Sequence, residues 1–208
     1  MSEHYTFRVD FGGQTKILTE KELADRAAEM GLDRITPNRY SWLFVGELLW
    51  HKWVDNVDLS MIVEEIKALE GLGPSTETRP PSQFKRPPLK GLWHKHFFAA
   101  QFVAHNIRNE LTDSRLRALV EEVCDPARSA TSTPEKIREL CHRVITEPFE
   151  ARAATGRLTG EWIVYANHGG MNYYLSLAGH KTGGQVIHDR IKASCLRQFP
   201  FLKQDLQL

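Results

Sequence analysis

A pair of glycines between two β-prone runs, within residues 161–180, constrains the fold more than any other feature of this sequence. Adjacent glycines supply the positive φ angles that a two-residue hairpin turn requires. With Gly169 and Gly170 in the turn, His168 pairs with Met171 and the two strands run back from there. The sequence therefore predicts a β-hairpin.

The two faces of this hairpin differ in character, because successive side chains of a strand point to opposite sides. One face is almost wholly apolar and is expected to build core. Its predicted pairs are His168–Met171, Ala166–Tyr173, Val164–Leu175 and Trp162–Leu177. The other face carries phenols and amides, and we expect it to be the working surface. Its predicted pairs are Tyr165–Tyr174, Asn167–Asn172, Ile163–Ser176 and Glu161–Ala178, with His180 following on the same side.

Length and composition indicate a folded globular protein. The chain has 208 residues, of which 41% are hydrophobic and 25% charged, as is ordinary for one sizeable domain or two small ones. No apolar run approaches the ~20 residues that a membrane span needs, and the first residues lack the order of a signal peptide. Three widely spaced cysteines indicate neither a disulfide framework nor a thiolate zinc site. We therefore expect a soluble cytoplasmic protein with no membrane contact.

Charge and proline content divide the chain into three segments. Residues 1–72 contain 8 Lys and Arg against 13 Asp and Glu, whereas the remainder contains 19 against 13. Five of the ten prolines lie in residues 73–90, which cannot form a regular helix. We predict an acidic hairpin-plus-helices subdomain at 1–72, a basic Pro-rich linker or arm at 73–90, and a basic helical subdomain with the C-terminal hairpin and helix at 91–208. One compact domain overall is the alternative.

Local signals predict the remaining elements. Alternation over residues 5–11 before two glycines predicts an N-terminal hairpin, and Thr19 and Glu22 have the spacing of a capping box at a helix start. We expect Pro148 to kink or end the helix that begins near Pro134. Further helical periodicity covers residues 40–54, 59–69, 93–111, 116–123 and 184–191.

The expected fold class is α+β, a mostly helical single domain with a small antiparallel sheet. We predict that the N-terminal and C-terminal hairpins both join this sheet, because an isolated two-stranded ribbon is marginally stable in water.

Metal and cofactor sites are not indicated. No H-E-x-x-H, C-x-x-C or paired-aspartate motif is present, and the phosphate-binding and dinucleotide-binding glycine motifs are also missing. On the helix predicted from residue 93, His94 and His96 would lie about 200° apart. We therefore expect no metal and no cofactor.

The candidate site combines the polar hairpin face with the residues that follow it. Cleavage of an RNA phosphodiester without a metal needs an acid, a base and cations beside the phosphate, roles that His, Tyr, Lys and Arg can fill. We assign the catalytic roles to His180, His188 and Tyr174. The expected substrate contacts are Tyr165, Asn172, Lys181, Arg190 and Lys192.

These residues favour an RNA-binding protein, with metal-independent endoribonuclease action of the small bacterial toxin type as the sharpest hypothesis. Aromatic groups on an open sheet can stack unpaired bases. The arm is a second candidate surface, because residues 73–110 hold six Lys and Arg against two Asp and Glu. Such cations could position phosphates.

Two other classes of function stay open. Tyr–Tyr and Asn–Asn pairs also stabilise ordinary sheets, and prolines with tryptophan suit a protein contact. The main alternative is therefore a non-enzymatic interaction module of the immunity, antitoxin or adaptor type, which binds a protein through the hairpin or residues 73–90. A third is a small-molecule enzyme with a pocket between sheet and helices. Steep salt dependence of binding would favour RNA over a protein partner.

Overall fold

The computed structural model describes residues 5–74, 76, 78–98, 107–108, 110–123, 134–155, 161–179 and 182–206. It confirms the α+β class, with many helices and two small antiparallel sheets. Contacts divide the chain into two units, the first from residues 1–76, 80–98 and 160–208, and the second from 77–79 and 99–159. Among the helices in the described ranges, none combines the length and apolar character that crossing a bilayer requires.

The first unit begins with the predicted hairpin and capped helix. These elements are β1 (Thr6–Phe11), β2 (Gln14–Thr19) and α1 (Glu20–Glu29). Gly12 and Gly13 form the turn between the strands with positive φ angles. The capping box is present, because Thr19 Oγ1 accepts a hydrogen bond from Glu22 N while Glu22 Oε2 accepts one from Thr19 N. The local prediction for residues 6–29 is therefore confirmed.

Three more helices follow in the first unit. They are α2 (Leu32–Ile35), α3 (Trp42–Trp53) and α4 (Leu59–Leu69). Ser41 caps α3 by accepting a hydrogen bond from Phe44 N, and Asp58 caps α4 by accepting one from Ser60 N. Most side chains of α3 are buried, so this helix lies within the unit, as its apolar sequence predicts.

A glycine in α3 allows β1 to pack closely against that helix. A Cβ added at Gly46 would lie 2.4 Å from the ring of Phe7. We expect Gly46→Ala to lower the free energy of unfolding by about 1–3 kcal/mol through overpacking, although alanine alone favours a helix by about 1 kcal/mol. Urea denaturation measures the change. In a Phe7→Ala background the substitution should be neutral or stabilising, and an equal loss in both backgrounds would contradict the steric explanation.

A four-stranded antiparallel sheet forms another part of the first unit. Its strands, in spatial order, are β3 (Ser82–Gln83), β4 (Trp93–Phe97), β5 (Glu161–His168) and β6 (Met171–Ala178). The prediction that both hairpins share one sheet is wrong, because β1 and β2 form a separate two-stranded sheet. Packing of β1 against α3 gives that ribbon the support that it lacks alone.

The helix predicted from Trp93 is wrong over β4. His94 lies opposite Ser82 of β3 and Val164 of β5, so both edges of β4 are paired within the sheet. The partner strands are distant in sequence, and a local pattern compatible with a helix gave no sign of them. Tertiary pairing therefore overrides the helical period here.

The C-terminal hairpin forms as predicted at its tip. Gly169 and Gly170 make the turn, with φ angles of +59° and +79°. The confirmed pairs are His168–Met171, Asn167–Asn172, Ala166–Tyr173 and Tyr165–Tyr174.

The base of this hairpin shifts by one residue. Beyond Tyr174 the register changes, and Leu175 is the extra residue of a β-bulge. The observed pairs are Val164–Ser176, Ile163–Leu177 and Trp162–Ala178. The predicted pairs Val164–Leu175, Ile163–Ser176, Trp162–Leu177 and Glu161–Ala178 are therefore wrong. The carboxylate of Glu47 supports the bulge by accepting hydrogen bonds from Ser176 Oγ (2.8 Å) and Leu177 N (2.7 Å).

The second unit is helical over most of its described residues. Its helices are α5 (Asp113–Val123), α6 (Pro134–Cys141) and α7 (Glu147–Ala154), with a π-helical stretch, His142–Thr146, between α6 and α7. The break expected at Pro148 takes the form of this π-helical stretch, and Pro148 itself lies in the first turn of α7. A proline is tolerated in the first turn of a helix.

The apolar hairpin face builds core through Val164, Ala166 and Leu175, as predicted, and the bulge brings Ala178, predicted on the polar face, into the same core. Helices α8 (Gly184–Cys195) and α9 (Leu202–Asp205) contribute to the same buried cluster. The members of this cluster from β5, β6 and α8 are Val164, Ala166, Leu175, Ala178, Ile187, Ile191 and Cys195. Leu89, from the Pro-rich segment, is also part of it, which fixes that segment against the first unit.

Candidate functional site

The polar face of the C-terminal hairpin is covered in the structure. Tyr174 N donates a hydrogen bond to Arg39 O (2.8 Å), and Ser41 N donates one to Tyr174 O (2.9 Å). The Tyr174 ring is fully buried and contacts Phe44 of α3. The expectation that this face is open is therefore wrong, because residues from the first part of the chain lie over it.

A charged network fills the space above this face. Glu70 accepts hydrogen bonds from the Tyr174 hydroxyl (2.7 Å), Asn172 Nδ2 (3.3 Å) and Arg39 Nη2 (2.6 Å). Arg39 Nη1 also donates to the Asn172 carbonyl (2.9 Å). Asn172 and Tyr174 therefore bind other parts of the protein in the described state.

Burial also changes the acidity of the two tyrosines on this face. Desolvation and the hydrogen bond to Glu70 raise the pKa of Tyr174 far above its ordinary value. Burial raises the pKa of Tyr165, which stacks on Trp93, to about 12. Both phenols therefore keep their protons at neutral pH and are poor bases there.

Helix α8 carries three of the predicted site residues on different sides. His188 is buried, with Nδ1 3.1 Å from Asp189 Oδ1, whereas the half-exposed Arg190 has Nη1 3.5 Å from Glu47 Oε1. Lys192 is exposed. Residues two apart on a helix point about 200° away from each other, so the structure does not bring His188 and Arg190 together. His180 and Lys181 lie outside the described residues.

The carboxyl group that Arg190 approaches is unusual. Glu47 is buried in α3, and desolvation raises its pKa to about 7 in spite of hydrogen bonds from Leu177 and Ser176 and the nearby charge of Arg190. Its position is explained by the bulge that it supports in β6. A role in chemistry is not needed to account for it.

The Pro-rich segment forms an anchored loop at residues 84–92, which we call the arm loop. Phe84 N donates a hydrogen bond to Leu92 O (2.8 Å), and Leu89 is buried between these two ends. At the amino end of α8, a Cβ added at Gly184 would lie 3.5 Å from Pro88 Cδ. The arm loop therefore packs beside the start of α8 and is not a free linker.

Three exposed cations project from the arm loop. They are Lys85, Arg86 and Lys90. None of these side chains makes an ion pair with any residue in the described ranges. By contrast, Lys95, which the sequence places on the same candidate surface, is buried with its Nζ 3.2 Å from Glu65 Oε2. The arm loop thus presents positive charge that no ion pair with a described residue neutralises.

An imidazole between two carboxylates was missed from the sequence. His51 Nδ1 lies 2.9 Å from Asp55 Oδ2, and His51 Nε2 lies 3.5 Å from Glu161 Oε2. The spacing of His51 and Asp55 places them one helical turn apart and is visible in the sequence. Glu161 is more than 100 positions away, and no local signal links it to the other two.

The two histidines of β4 share one side of the sheet. The ring centroids of His94 and His96 are 5.7 Å apart, and both rings contact Trp162. The predicted separation of about 200° is wrong, because residues 93–97 form a strand and not a helix. Within the described part of the chain, no group of three or more His, Cys, Asp or Glu side chains is arranged to hold a metal ion.

A cavity of about 440 Å³ lies in the second unit. Its walls come from α5 and α7 and include the ion pair between Arg143 and Glu122, whose nitrogen and oxygen are 3.1 Å apart. This cavity is therefore in the helical unit, whereas the third alternative placed a small-molecule pocket between sheet and helices. Its volume is in the range of small-ligand sites.

Comparison with known proteins does not place the chain in a family. No family model, curated protein or solved structure matches it.

Proposed function

We propose that this protein binds RNA through the arm loop and the adjoining amino end of α8, and that it cleaves the bound strand without a metal ion. The observation that carries the proposal is the set of three exposed cations on one anchored loop, none of which forms an ion pair with a described residue. A phosphate chain would supply the negative charge that these cations do not meet among the described residues. Release of counterions from RNA then favours binding.

The anchoring of the arm loop supports this function. A loop that is already held in place loses little conformational freedom when it binds. The amino end of α8 adds a partial positive charge beside it. Arg190 and Lys192, both exposed to solvent at least in part, stay proposed phosphate contacts farther along the helix.

The predicted site residues take different parts in this proposal. Tyr165, Asn172 and Tyr174 hold the hairpin against its neighbours, because their polar atoms or rings already contact protein. His188 is retained as an acid or base candidate only through its pairing with Asp189. His180 and Lys181 stay proposed catalytic and phosphate-binding residues, to be tested by substitution.

Removal of the arm-loop cations should weaken RNA binding. We expect the variant Lys85→Gln/Arg86→Gln/Lys90→Gln to bind a single-stranded RNA oligonucleotide at least tenfold less tightly at low salt. Each lost phosphate contact should reduce the slope of log Kd against log salt by about 0.7, and three should reduce it by about 2. Fluorescence anisotropy at several salt concentrations measures both quantities.

A control with the same change in net charge is available elsewhere on the chain. Lys21, Lys52 and Lys203 are exposed on α1, α3 and α9, and the triple glutamine variant at these positions removes the same charge while the arm loop is unchanged. It should bind RNA nearly as wild type. Equal weakening in both triple variants would show that net charge, and not the arm loop, drives binding.

Cleavage is tested separately from binding. Purified protein is incubated with structured and unstructured RNA, with and without a chelator, beside His180→Ala. Chelator-resistant cleavage that is lost in a folded His180→Ala variant supports the proposed reaction and the predicted role of His180. Cleavage that the chelator abolishes contradicts metal independence.

The interaction module is retained as a second candidate because of one exposed surface. At the hairpin tip, His168 stacks on Phe201 with ring centroids 4.1 Å apart, and Met171 is half exposed beside them. This surface suits an apolar contact with a protein partner. The test is capture of a protein partner. Binding that persists at high salt, that Met171→Lys abolishes and that the arm-loop variant retains would favour this function over RNA binding.

A further inference from the structure

Three titratable side chains from three segments meet at one end of the four-stranded sheet. His51 comes from the last turn of α3, Asp55 from the connection that follows, and Glu161 is the first residue of β5. The backbone of this connection folds back on the helix, because Asp55 N and Val57 N both donate hydrogen bonds to His51 O, at 3.2 and 3.0 Å. The position of Asp55 is therefore fixed by main-chain contacts as well as by the imidazole.

The arrangement assigns different roles to the two nitrogens of His51. The Asp55 carboxylate, 2.9 Å from Nδ1, holds a proton on that nitrogen, so that Nε2 is turned toward Glu161. The His51 side chain is only 8% exposed, whereas that of Glu161 is 20% exposed. The Asp55 side chain is 28% exposed as well, so that solvent or a substrate can reach both carboxyl groups more readily than the imidazole.

The environment favours a proton on Glu161. Burial and the negative charge of Asp55 raise the pKa of the Glu161 carboxyl. Burial lowers the pKa of His51, although Asp55 opposes this effect. Glu161 Oε2 is buried and makes no hydrogen bond to any described residue. A carboxyl group that keeps its proton closer to neutral pH is suited to act as a general acid.

Glu161 also lies near the start of α8, where the arm loop packs. A Cβ added at Gly179 would be 2.8 Å from Glu161 Oε1 and 3.7 Å from Thr182 Oγ1. Thr182 is two residues before Gly184, whose nearest neighbour is Pro88 of the arm loop. Glu161 therefore lies near Thr182, just before the helix start that the arm loop contacts through Pro88.

We infer that Glu161 is the general acid of RNA cleavage in this protein, with His51 and Asp55 as positioning residues. This inference rests on the proposed function. In the step, the 2′-oxygen bonds to phosphorus and loses its proton to solvent. The P–O5′ bond breaks with its electron pair on O5′, and O5′ takes the proton from Glu161. The products are a 2′,3′-cyclic phosphate and a 5′-hydroxyl, and Glu161 regains a proton from water.

His51 stabilises the carboxylate that the step leaves behind. Once Glu161 is negative, the His51 ring lies between two carboxylates. Its Nε2 faces Glu161 and its Nδ1 faces Asp55. Both negative charges favour the imidazolium form, which can then neutralise Glu161. The His51 ring is held by Trp50 and Phe97, which pack edge to face against it.

Glu161→Gln is the central test. It is assayed on two RNA substrates, one whose leaving group needs a proton and one whose leaving group does not. On ordinary RNA we expect cleavage to be at least 100-fold slower than in wild type. On an oligonucleotide with sulfur in place of the bridging 5′-oxygen, which leaves without a proton, we expect most of the rate to return. Glu64→Gln, an exposed change on α4, is the matched control and should cleave both substrates as wild type.

Equal loss of rate on both substrates, or no loss on ordinary RNA, would overturn the inference. Asp55→Asn gives an independent readout if Glu161→Gln does not fold. Removal of the Asp55 charge lowers the pKa of Glu161, so the decline of cleavage at alkaline pH should begin at lower pH. An unchanged pH profile would also overturn the inference.

The two proposals fail in different ways. Salt-sensitive RNA binding without any cleavage by wild type would overturn the role of Glu161 and leave RNA binding intact. Absence of both binding and cleavage would overturn the proposed function and this inference with it. Thermal unfolding of each variant shows whether a loss of activity reflects a loss of fold.

Discussion

Substitution of Glu70 by alanine is expected to lower the free energy of unfolding by about 3–5 kcal/mol. Glu70 and Arg39 are 11% and 15% exposed, and their charged atoms are 2.6 Å apart. Alanine at position 70 removes the carboxylate that accepts hydrogen bonds from Arg39, Asn172 and Tyr174 together. The guanidinium group of Arg39 then stays largely buried with its charge uncompensated, which is the main cause of the loss.

The pKa shifts of Glu70 and Arg39 support a strong interaction between the two side chains. Burial alone would raise the pKa of Glu70, but hydrogen bonds from Arg39 and Tyr174 outweigh that effect and hold the pKa below its ordinary value. The hydrogen bond to Glu70 raises the pKa of Arg39. Both shifts favour the charged forms, so the pair is ionised at neutral pH.

Urea denaturation at neutral pH measures the effect of Glu70→Ala. The control is Glu64→Ala, which removes an exposed ion pair with Lys67 and should change the free energy of unfolding by less than about 0.5 kcal/mol. Glu70→Gln should cost less than Glu70→Ala, because the amide can still accept a hydrogen bond. A loss below about 1 kcal/mol for Glu70→Ala would contradict the buried network.

The second large effect is a pH dependence of stability that comes from Glu47. Its pKa is about 7 in the folded protein and lies near 4.5 when the chain is unfolded. Between these values the folded protein keeps a proton that the unfolded chain has lost. The contribution of Glu47 is therefore fully present below about pH 4.5 and is lost as pH rises toward 7. The loss amounts to about 3 kcal/mol.

Glu47→Gln isolates this contribution. Glutamine imitates the protonated acid, since its oxygen can accept the hydrogen bonds from Ser176 and Leu177. Subtraction of the two curves of unfolding free energy against pH removes the effect of every other titrating group. The stability of the variant relative to wild type should rise from pH 4.5 to 7. A flat difference curve would mean that Glu47 titrates normally.

The parts of the fold that were predictable depend on neighbours in sequence. Gly169 and Gly170 determine their turn by backbone conformation, and Thr19 with Glu22 determines a helix start by reciprocal hydrogen bonds. Pairing of the hairpin tip follows from the position of its turn. For these elements the interacting residues lie within a few positions of one another.

The parts that were not predictable depend on residues far apart. The polar hairpin face is buried because Arg39 and Glu70 supply partners for Asn172 and Tyr174 across more than 100 positions. The helix predicted from Trp93 is a strand over residues 93–97, because β3 and β5 pair with the two edges of β4. In the candidate site, the cations of the arm were visible in the sequence, whereas their anchored loop was not.

The pairing of Phe97 with Glu161 has a consequence for how this chain can change. These residues face each other across β4 and β5, yet residues 99–159, which are most of the second unit, lie between them in sequence. In topology, β4 and β5 are an antiparallel pair whose connection contains the helices α5, α6 and α7. The loop-closure free energy rises only slowly with loop length, so inserts of other sizes or folds are compatible with the same paired ends. The four-stranded sheet is therefore compatible with other segments in place of residues 99–159.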